Sequence, residues 1–331
     1  MGGASNRSLV LQRGESEDVV PPPATTPATP DLPLPAHRTM PEFVGGADTD
    51  ARVKVMFGSC QLVGKKHAMQ DCVSVTTIKL WPDAREGGKG EISVFGVYDG
   101  HGPTDACVRF VASGLPACLE RQVARLSATA VPEWAAVLYD AFVECGDEWI
   151  ACAENPRSGC VAAVALVAGL DVVLANVGDC RAVVTHPRLG CVQVTRDHRA
   201  NDPDEARRVV EEGGFVRNGR VLNVLAPSRA FGDTDLRQSA DGSLNEVVTH
   251  RPDTYFVNVT LDHVGQAVMI LASDGVWDEI GVREAMDIVR AELERAPGDL
   301  NNAARALAER AEQLNDDDIS VQIVTWDRLL R

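Results

Sequence analysis

Three acidic positions share one pattern. Val94-Phe95-Gly96-Val97-Tyr98 runs into Asp99-Gly100-His101-Gly102, and Val268-Met269-Ile270-Leu271-Ala272 runs into Ser273-Asp274-Gly275. Asp316-Asp317-Asp318 leads into Ile319-Ser320-Val321-Gln322-Ile323-Val324. Each sets carboxylates at the tip of an apolar, strand-like run. Hard divalent cations such as Mg2+ and Mn2+ take oxygen ligands and keep water in the rest of their shell. Strand ends are rigid enough to hold such ligands together. Alone, an Asp-Gly after a strand is ordinarily a turn, and an acidic run is equally a helix-to-strand loop. The joint occurrence of all three, with His101 inside the first turn, points to Asp99, Asp274 and Asp317 as ligands of a divalent-metal centre. Thiolate chemistry fits poorly: a phosphate loop needs five residues between Cys and Arg, and Cys191 to Arg196 misses by one, in strand-like sequence. No Gly-rich loop ending in Lys-Ser or Lys-Thr is present, which argues against a P-loop nucleotidase.

The elements that must position these residues follow from periodicity. Strands are expected over residues 52–60, 72–80 and 91–98, the last ending at Asp99-Gly100. A helix over 103–124 carries Ala106, Phe110, Ser113 and Ala117 at helical spacing. A second, over 134–154, carries Val137, Leu138, Ala141, Phe142 and Trp149. Strands over 161–168 and 172–177 flank Gly169-Leu170-Asp171, a hairpin connection, and 181–185 and 191–194 continue the sheet. Residues 202–212 read as a short helix, with Asn201 or Asp202 as cap, Pro203 in its first turn and Gly213-Gly214 at its end. A strand over 268–272, amphipathic helices over 282–294 and 300–314, and a strand over 319–326 complete the chain. Strands and helices come in groups rather than in strict alternation, which favours an α+β fold with antiparallel sheets.

The bulk numbers agree. The 331 residues are 45% hydrophobic and 24% charged, proportions of a globular chain with a sizeable core. A net charge of -16 disfavours nucleic acid, whose phosphates need Lys and Arg, and suits a protein that collects cations. The nine cysteines are odd in number and form no Cys-x-x-Cys pair, so neither a disulfide framework nor a zinc site is expected. They suit a reducing compartment, cytoplasmic or nuclear. No apolar run of about 18 residues appears, so no transmembrane segment is expected, and no secretory signal opens the chain. Met1-Gly2-Gly3-Ala4-Ser5-Asn6 is near an N-myristoyl signal, with Asn6 where Ser or Thr is favoured. A lipid anchor and an ordinary small-residue start both stay open. Residues 1–48 are polar and proline-rich around Pro21-Pro22-Pro23, a disordered arm. Within it Thr26-Pro27 and Thr29-Pro30 are either proline-directed phosphorylation sites or plain spacer. Residues 49–331 are expected to form one domain.

From about Val53 to Trp326 the chain resembles the type 2C metal-dependent serine/threonine protein phosphatases. Lys66-His67-Ala68-Met69-Gln70-Asp71 is similar to the family's Arg-x-x-Met-Glu-Asp, and Asp99-Gly100-His101-Gly102 to its Asp-Gly-His-Gly. Ala175-Asn176-Val177-Gly178-Asp179-Cys180-Arg181-Ala182, Thr195-Arg196-Asp197-His198 and Ser228-Arg229-Ala230-Phe231-Gly232-Asp233 resemble further elements in the right order. So do Ser273-Asp274-Gly275-Val276-Trp277-Asp278 and Asp317-Asp318-Ile319-Ser320. The resemblance implies a β-sandwich of two antiparallel sheets flanked by α-helices, with metals at one end. It implies two Mg2+ or Mn2+ ions bridged by Asp99 and a hydroxide that attacks phosphorus. Asp274 and Asp317 would complete the first site, and the Gly100 carbonyl and Gln70 the second. Asp179 and Asp278 would hold a weaker third ion, or else hydrogen-bond within their loops. His101, Lys66 and Asp71 form the implied catalytic set: His101 protonates the leaving Ser or Thr oxygen, and Lys66 meets the phosphate.

Two departures fall in one element. Lys66 stands for the family's Arg, keeping the charge and losing the bidentate fork. Gln70 stands for its Glu, bringing an amide without negative charge, so a weaker second metal is expected. Ser158-Gly159-Cys160-Val161-Ala162 replaces Ser-Gly-Thr-Thr-Ala with small packing residues kept. The implied function is hydrolysis of phosphoserine and phosphothreonine in phosphoprotein substrates by a monomer. The alternative is a weakly active or inactive phosphatase-like scaffold that binds phosphoproteins. Residues 233–249 read as a loop beside the active site that shapes substrate choice, or as plain surface.

Overall fold

Two sheets stack face to face with helices on both outer sides, because their central strands, Glu91–His101, Gly159–Ala168, Asp171–Val177, Val268–Ala272 and Ile319–Arg328, are buried on both faces. The structure is a computed structural model that describes residues 38–39, 53–65, 68–79, 91–126, 133–152, 155–237 and 243–328. All of these belong to the unit His37–Arg331. Of the arm only Arg38–Thr39 is described, as a two-residue strand rather than disordered chain; the N-myristoyl signal, the Thr-Pro pairs and Lys66 lie outside the described residues.

The strands in chain order are β1 (Arg38–Thr39), β2 (Val53–Leu62), β3 (Asp71–Lys79), β4 (Glu91–His101), β5 (Gly159–Ala168), β6 (Asp171–Val177) and β7 (Arg181–His186). Then come β8 (Gly190–Gln193), β9 (Val216–Arg217), β10 (Arg220–Val221), β11 (Phe231–Gly232), β12 (Asp253–Asn258), β13 (Val268–Ala272) and β14 (Ile319–Arg328). The helices are α1 (Ala106–Ala124), α2 (Trp134–Cys152), α3 (Pro203–Glu211), α4 (Asp274–Trp277), α5 (Val282–Arg295) and α6 (Leu300–Glu312). One sheet runs β1-β12-β6-β5-β4-β3 with β11 added beside β5, and the other runs β2-β14-β13-β7-β8. Every described pairing in them is antiparallel except β1 with β12.

The period of two along each strand sorts side chains between layers. In β4, Phe95 and Val97 enter the core between the sheets, while Ile92, Val94 and Tyr98 meet α1 and α2. In β13, Met269 and Leu271 face the other sheet, while Ile270 and Ala272 pack under α5 and α6. Each fully buried Val, Leu or Ile stabilises by roughly 1.5–3 kcal/mol, so three such layers fix the strand ends firmly. Among the described residues no helix is long and apolar enough to cross a membrane.

Several sequence expectations hold closely. Val137, Leu138, Ala141, Phe142 and Trp149 are all buried on α2, and Gly169 (φ +63°) turns the hairpin between β5 and β6. Asp202 caps α3, accepting from the backbone N–H groups of Asp204 and Glu205. Three expectations need correction. The first helix begins at Ala106 rather than 103 and buries Cys107, Val108, Val111, Leu115, Cys118 and Leu119, not the Ala106-Phe110-Ser113-Ala117 face. Ser113 faces outward and bonds back to the Arg109 carbonyl. The strand expected to stop at Tyr98 continues through His101, because β5 pairs with it that far, to His101 opposite Gly159, while β3 flanks it as far as Asp99 opposite Asp71. The turn comes at Gly102 (φ +95°), where a Cβ would fall 2.1 Å from the Arg157 carbonyl oxygen. Asp274 opens the one-turn helix α4 instead of a plain turn.

Candidate active site

The ends of β3, β4, β6 and β13 bring their acidic residues to one end of the sandwich. Asp71 and Asp99 are direct cross-strand partners, and like charges so placed repel. The Asp99 carboxyl is pushed well up by burial, then by Asp71, Asp274 and Asp179. Asp274 is also raised by burial, with the neighbouring charges of Asp278 and Asp317 adding, and it shares a hydrogen bond with Asp99. A proton shared between two close carboxyls is the ordinary response to this crowding. Asp179, on the loop after Gly178 (φ +90°), is raised to about 7 by burial and by Asp274, against the pull of Arg199. Asp71 is raised to about 7 by burial. The Ser273 and Ser320 hydroxyls are near enough to ease that rise, yet neither Asp71 oxygen completes a hydrogen bond of proper geometry. Buried orphaned carboxylate oxygens among like charges call for a cation.

The one-turn helix places Asp274 and Asp278 four residues apart on one side. With Glu279, Asp316 and Asp317 they line an open cavity of about 470 Å³, where Lys65, the one basic residue among the described lining, pairs with Asp316. Asp317 accepts the Asp318 backbone N–H at 2.8 Å. The Gly100 N–H donates to the Gln70 carbonyl at 3.1 Å, and a Cβ on Gly100 would fall 2.4 Å from that oxygen. The Gln70 side-chain amide donates to the Gly102 carbonyl at 3.1 Å.

The structure therefore gathers Asp71, Asp99, Asp179, Asp274, Asp278 and Asp317, but not at ligand spacing. Among the described residues, three ligand atoms converge within 4.8 Å at Cys118, Glu144 and Glu148, between α1 and α2. That group is a salt-bridge cluster: Arg121 reaches Glu144 at 2.7 Å, Glu148 at 2.5 Å and the Cys118 sulfur at 3.0 Å.

Three further residues went unassigned in the sequence. The Arg199 guanidinium lies 3.0 Å from Asp179, 2.5 Å from Asp278 and 3.8 Å from Asp274, a monovalent cation inside the carboxylate cluster. Its signal was its place directly after Asp197-His198. Asp318, buried beside the exposed acidic run, accepts the backbone N–H groups of Gly64 at 2.8 Å and Gln70 at 2.7 Å, and so fastens the segment that carries Gln70. Asp233 ends a quoted motif and accepts from His101: Nε2 to Oδ2 is 2.7 Å. Burial works against a charged His101 ring, but Asp233, with Asp179 and Asp274 behind it, raises its pKa overall.

The Protein phosphatase 2C family profile matches residues 57–318. The rice (Oryza sativa subsp. japonica) "Probable protein phosphatase 2C 74" is 33% identical over 283 residues, covering 81% of this chain and 64% of that protein. The Arabidopsis thaliana "Probable protein phosphatase 2C 59" is 31% identical over 291 residues, covering 86% and 83%. This chain spans 60% of a further rice relative, "Probable protein phosphatase 2C 32", so some relatives are substantially longer. Among solved structures, the Toxoplasma gondii serine-threonine phosphatase 2C superposes with a TM-score of 0.64 at 22% identity, over 86% of this chain and 98% of that one. A C. elegans sex-determining protein superposes with a TM-score of 0.67 at 25% identity, over 82% and 64%. With family profile, relatives and antiparallel sandwich in agreement, this chain belongs to the protein phosphatase 2C family.

Proposed function

We propose that this chain is a metal-dependent phosphatase of phosphoserine and phosphothreonine in proteins. The observation that carries it is the crowding of Asp71, Asp99, Asp179 and Asp274, all with raised carboxyl pKa values and with orphaned oxygens on Asp71. A donor set of oxygens alone fits Mg2+ or Mn2+. Asp99, Asp274 and Asp317 would hold the first ion, and Asp99, the Gly100 carbonyl and the Gln70 amide oxygen the second. A third, weaker ion at Asp179 and Asp278 would have to displace Arg199. Bound cations supply a water that ionises near neutral pH and neutralise phosphoryl oxygens. His101 protonates the leaving Ser or Thr oxygen. Lys66 carries the positive charge toward the phosphate, and Asp71 backs Asp99 across the β3–β4 pair.

One observation favours a weaker enzyme or a phosphoprotein-binding scaffold. Gln70 adds no negative charge, and its amide N–H is engaged by the Gly102 carbonyl. A Mn2+ titration with an aryl phosphate and a phosphoserine peptide separates the readings. Turnover is expected at elevated Mn2+, with Gln70→Glu lowering the Mn2+ required. No turnover at saturating Mn2+, restored by Gln70→Glu, means a scaffold. Activity indifferent to Asp274→Ala refutes the metal assignment.

A further inference from the structure

Asp233 is held in place by more than one unusual feature. It follows β11, the two-residue strand that pairs Gly232 with Gly159 of β5, and Gly159 is in turn the partner of His101 on β4. His101 and Asp233 thus reach toward each other across the bare backbone of Gly159. A Cβ on Gly159 would fall 2.2 Å from Asp233 Oδ2 and 2.4 Å from His101 Nε2, so the contact exists only because that position lacks a side chain. Gly232 (φ +77°) is similarly tight, its missing Cβ falling 2.2 Å from the Ser158 carbonyl oxygen. Asp233 itself has φ +49°, a left-handed conformation that costs an ordinary residue about 1–2 kcal/mol and that Asp and Asn tolerate best. Its backbone is fixed there, the N–H donating to the Ser158 carbonyl at 3.2 Å and the carbonyl accepting from Leu236 at 2.9 Å. The Asp233 side chain is 6% exposed and that of His101 25% exposed, so the carboxylate is buried while the ring retains some access to solvent.

We propose that Asp233 is a positioning residue for phosphoryl transfer: it accepts a hydrogen bond from His101 Nε2–H and thereby reserves Nδ1 as the proton donor to the leaving oxygen. This rests on the phosphatase reading above. A carboxylate only accepts, so the 2.7 Å contact places the proton on Nε2, and the other ring nitrogen is left for chemistry. The step balances. A water oxygen bonds to phosphorus and the phosphorus–oxygen bond to the Ser or Thr breaks, its electrons staying on that oxygen. The Nδ1 proton joins that oxygen, and His101 is left neutral with Nε2–H still on Asp233. The proton shed by the attacking water restores the imidazolium through solvent.

Asp233→Asn tests this, since Asn keeps the shape and tolerates the positive φ while its amide no longer dictates which ring nitrogen carries the proton. The full chain is assayed at saturating Mn2+ on a phosphoserine peptide, whose alkoxide leaving group needs a proton, and on p-nitrophenyl phosphate, whose leaving group does not. The expected result is a fall in kcat of about 100-fold on the peptide and a much smaller fall on the aryl ester, with KM for both little moved. Equal falls on both substrates, or no fall on the peptide, overturn the proposal. A wild-type chain inactive on both substrates refutes the phosphatase reading instead. The orientation has its own readout that needs no variant to fold: long-range 1H–15N spectra of wild-type protein in Mg2+. His101 in its neutral form is expected to carry its proton on Nε2, and a proton on Nδ1 overturns the proposal.

Discussion

Replacing Glu205 by glutamine tests whether a buried ionic chain behind the site supports Asp179. The Glu205 carboxylate accepts from Arg229 Nη2 at 2.6 Å, Arg229 Nε at 3.1 Å, Arg208 Nε at 3.1 Å and the Ser228 hydroxyl at 2.7 Å. Arg229 also reaches Asp253 at 2.9 Å, and Asp253 lies 3.2 Å from His198 Nε2. His198 Nδ1 accepts the Gly178 N–H at 3.2 Å, next to Asp179. Burial and then Arg229 lower the His198 pKa, which keeps the ring neutral and able to accept there. Burial alone would raise the Glu205 carboxyl, but the hydrogen bonds and charge of Arg229 overcome it and hold the pKa at about 2, from an ordinary 4.5. That difference corresponds to roughly 3 kcal/mol of stability at neutral pH. Breaking one side of a buried ion pair costs a comparable ~3–5 kcal/mol. Glu205→Gln should therefore lose roughly 3–5 kcal/mol in urea unfolding at pH 7.5. The sign follows from the depressed pKa. The Glu205 contribution is fully present above about 4.5 and is lost as pH falls toward about 2. The gap between wild type and variant should narrow across that window. A loss below about 1 kcal/mol, the level of an exposed pair, or a gap indifferent to pH in that window, would refute the reasoning.

Two further outcomes follow from the residues around the carboxylates. Arg199→Ala removes the guanidinium from Asp179 and Asp278, so calorimetry should show tighter or additional Mn2+ binding than in the wild-type chain; unchanged binding means that Arg199 does not compete with metal. Asp318→Ala frees the backbone N–H groups of Gly64 and Gln70, each bonded to a charged acceptor worth about 1.5–3 kcal/mol. The expected result is a lower thermal midpoint and weaker Mn2+ binding, and a midpoint within a degree or so of wild type contradicts the latch.

The fold was legible where side-chain size carried the pattern. On α2, bulky Val137, Leu138, Phe142 and Trp149 mark one stripe, and the structure buries that stripe. On α1 the stripe is made of Cys107, Val108, Val111 and Cys118, while alanines and Ser113 sit at competing helical spacings, so periodicity alone picked the wrong face. The end of β4 was hidden for another reason. Asp-Gly is turn chemistry by local propensity, yet β3 pairs with Asp99 and β5 pairs with the strand through His101. Non-local pairing overrode the local signal, and only the flanking strands reveal it.

At the site the same asymmetry separates what sequence shows from what it hides. Carboxylates at the ends of apolar runs are visible because each announces itself locally. Their partners are not, because partnership is a distance: Asp233 lies 132 residues from His101, and Arg199 reaches Asp278 over 79. This changes the weight of Gln70. From sequence, its missing charge looked like the main deficit of the second ion position. In the structure, burial first and then the neighbouring carboxylates push Asp71, Asp99, Asp179 and Asp274 above the usual carboxylate range. Arg199 offsets only part of that charge. One carboxylate fewer at position 70 leaves the cluster short of cations, so its effect falls on the affinity of the second ion rather than on whether ions are drawn to this end of the sandwich.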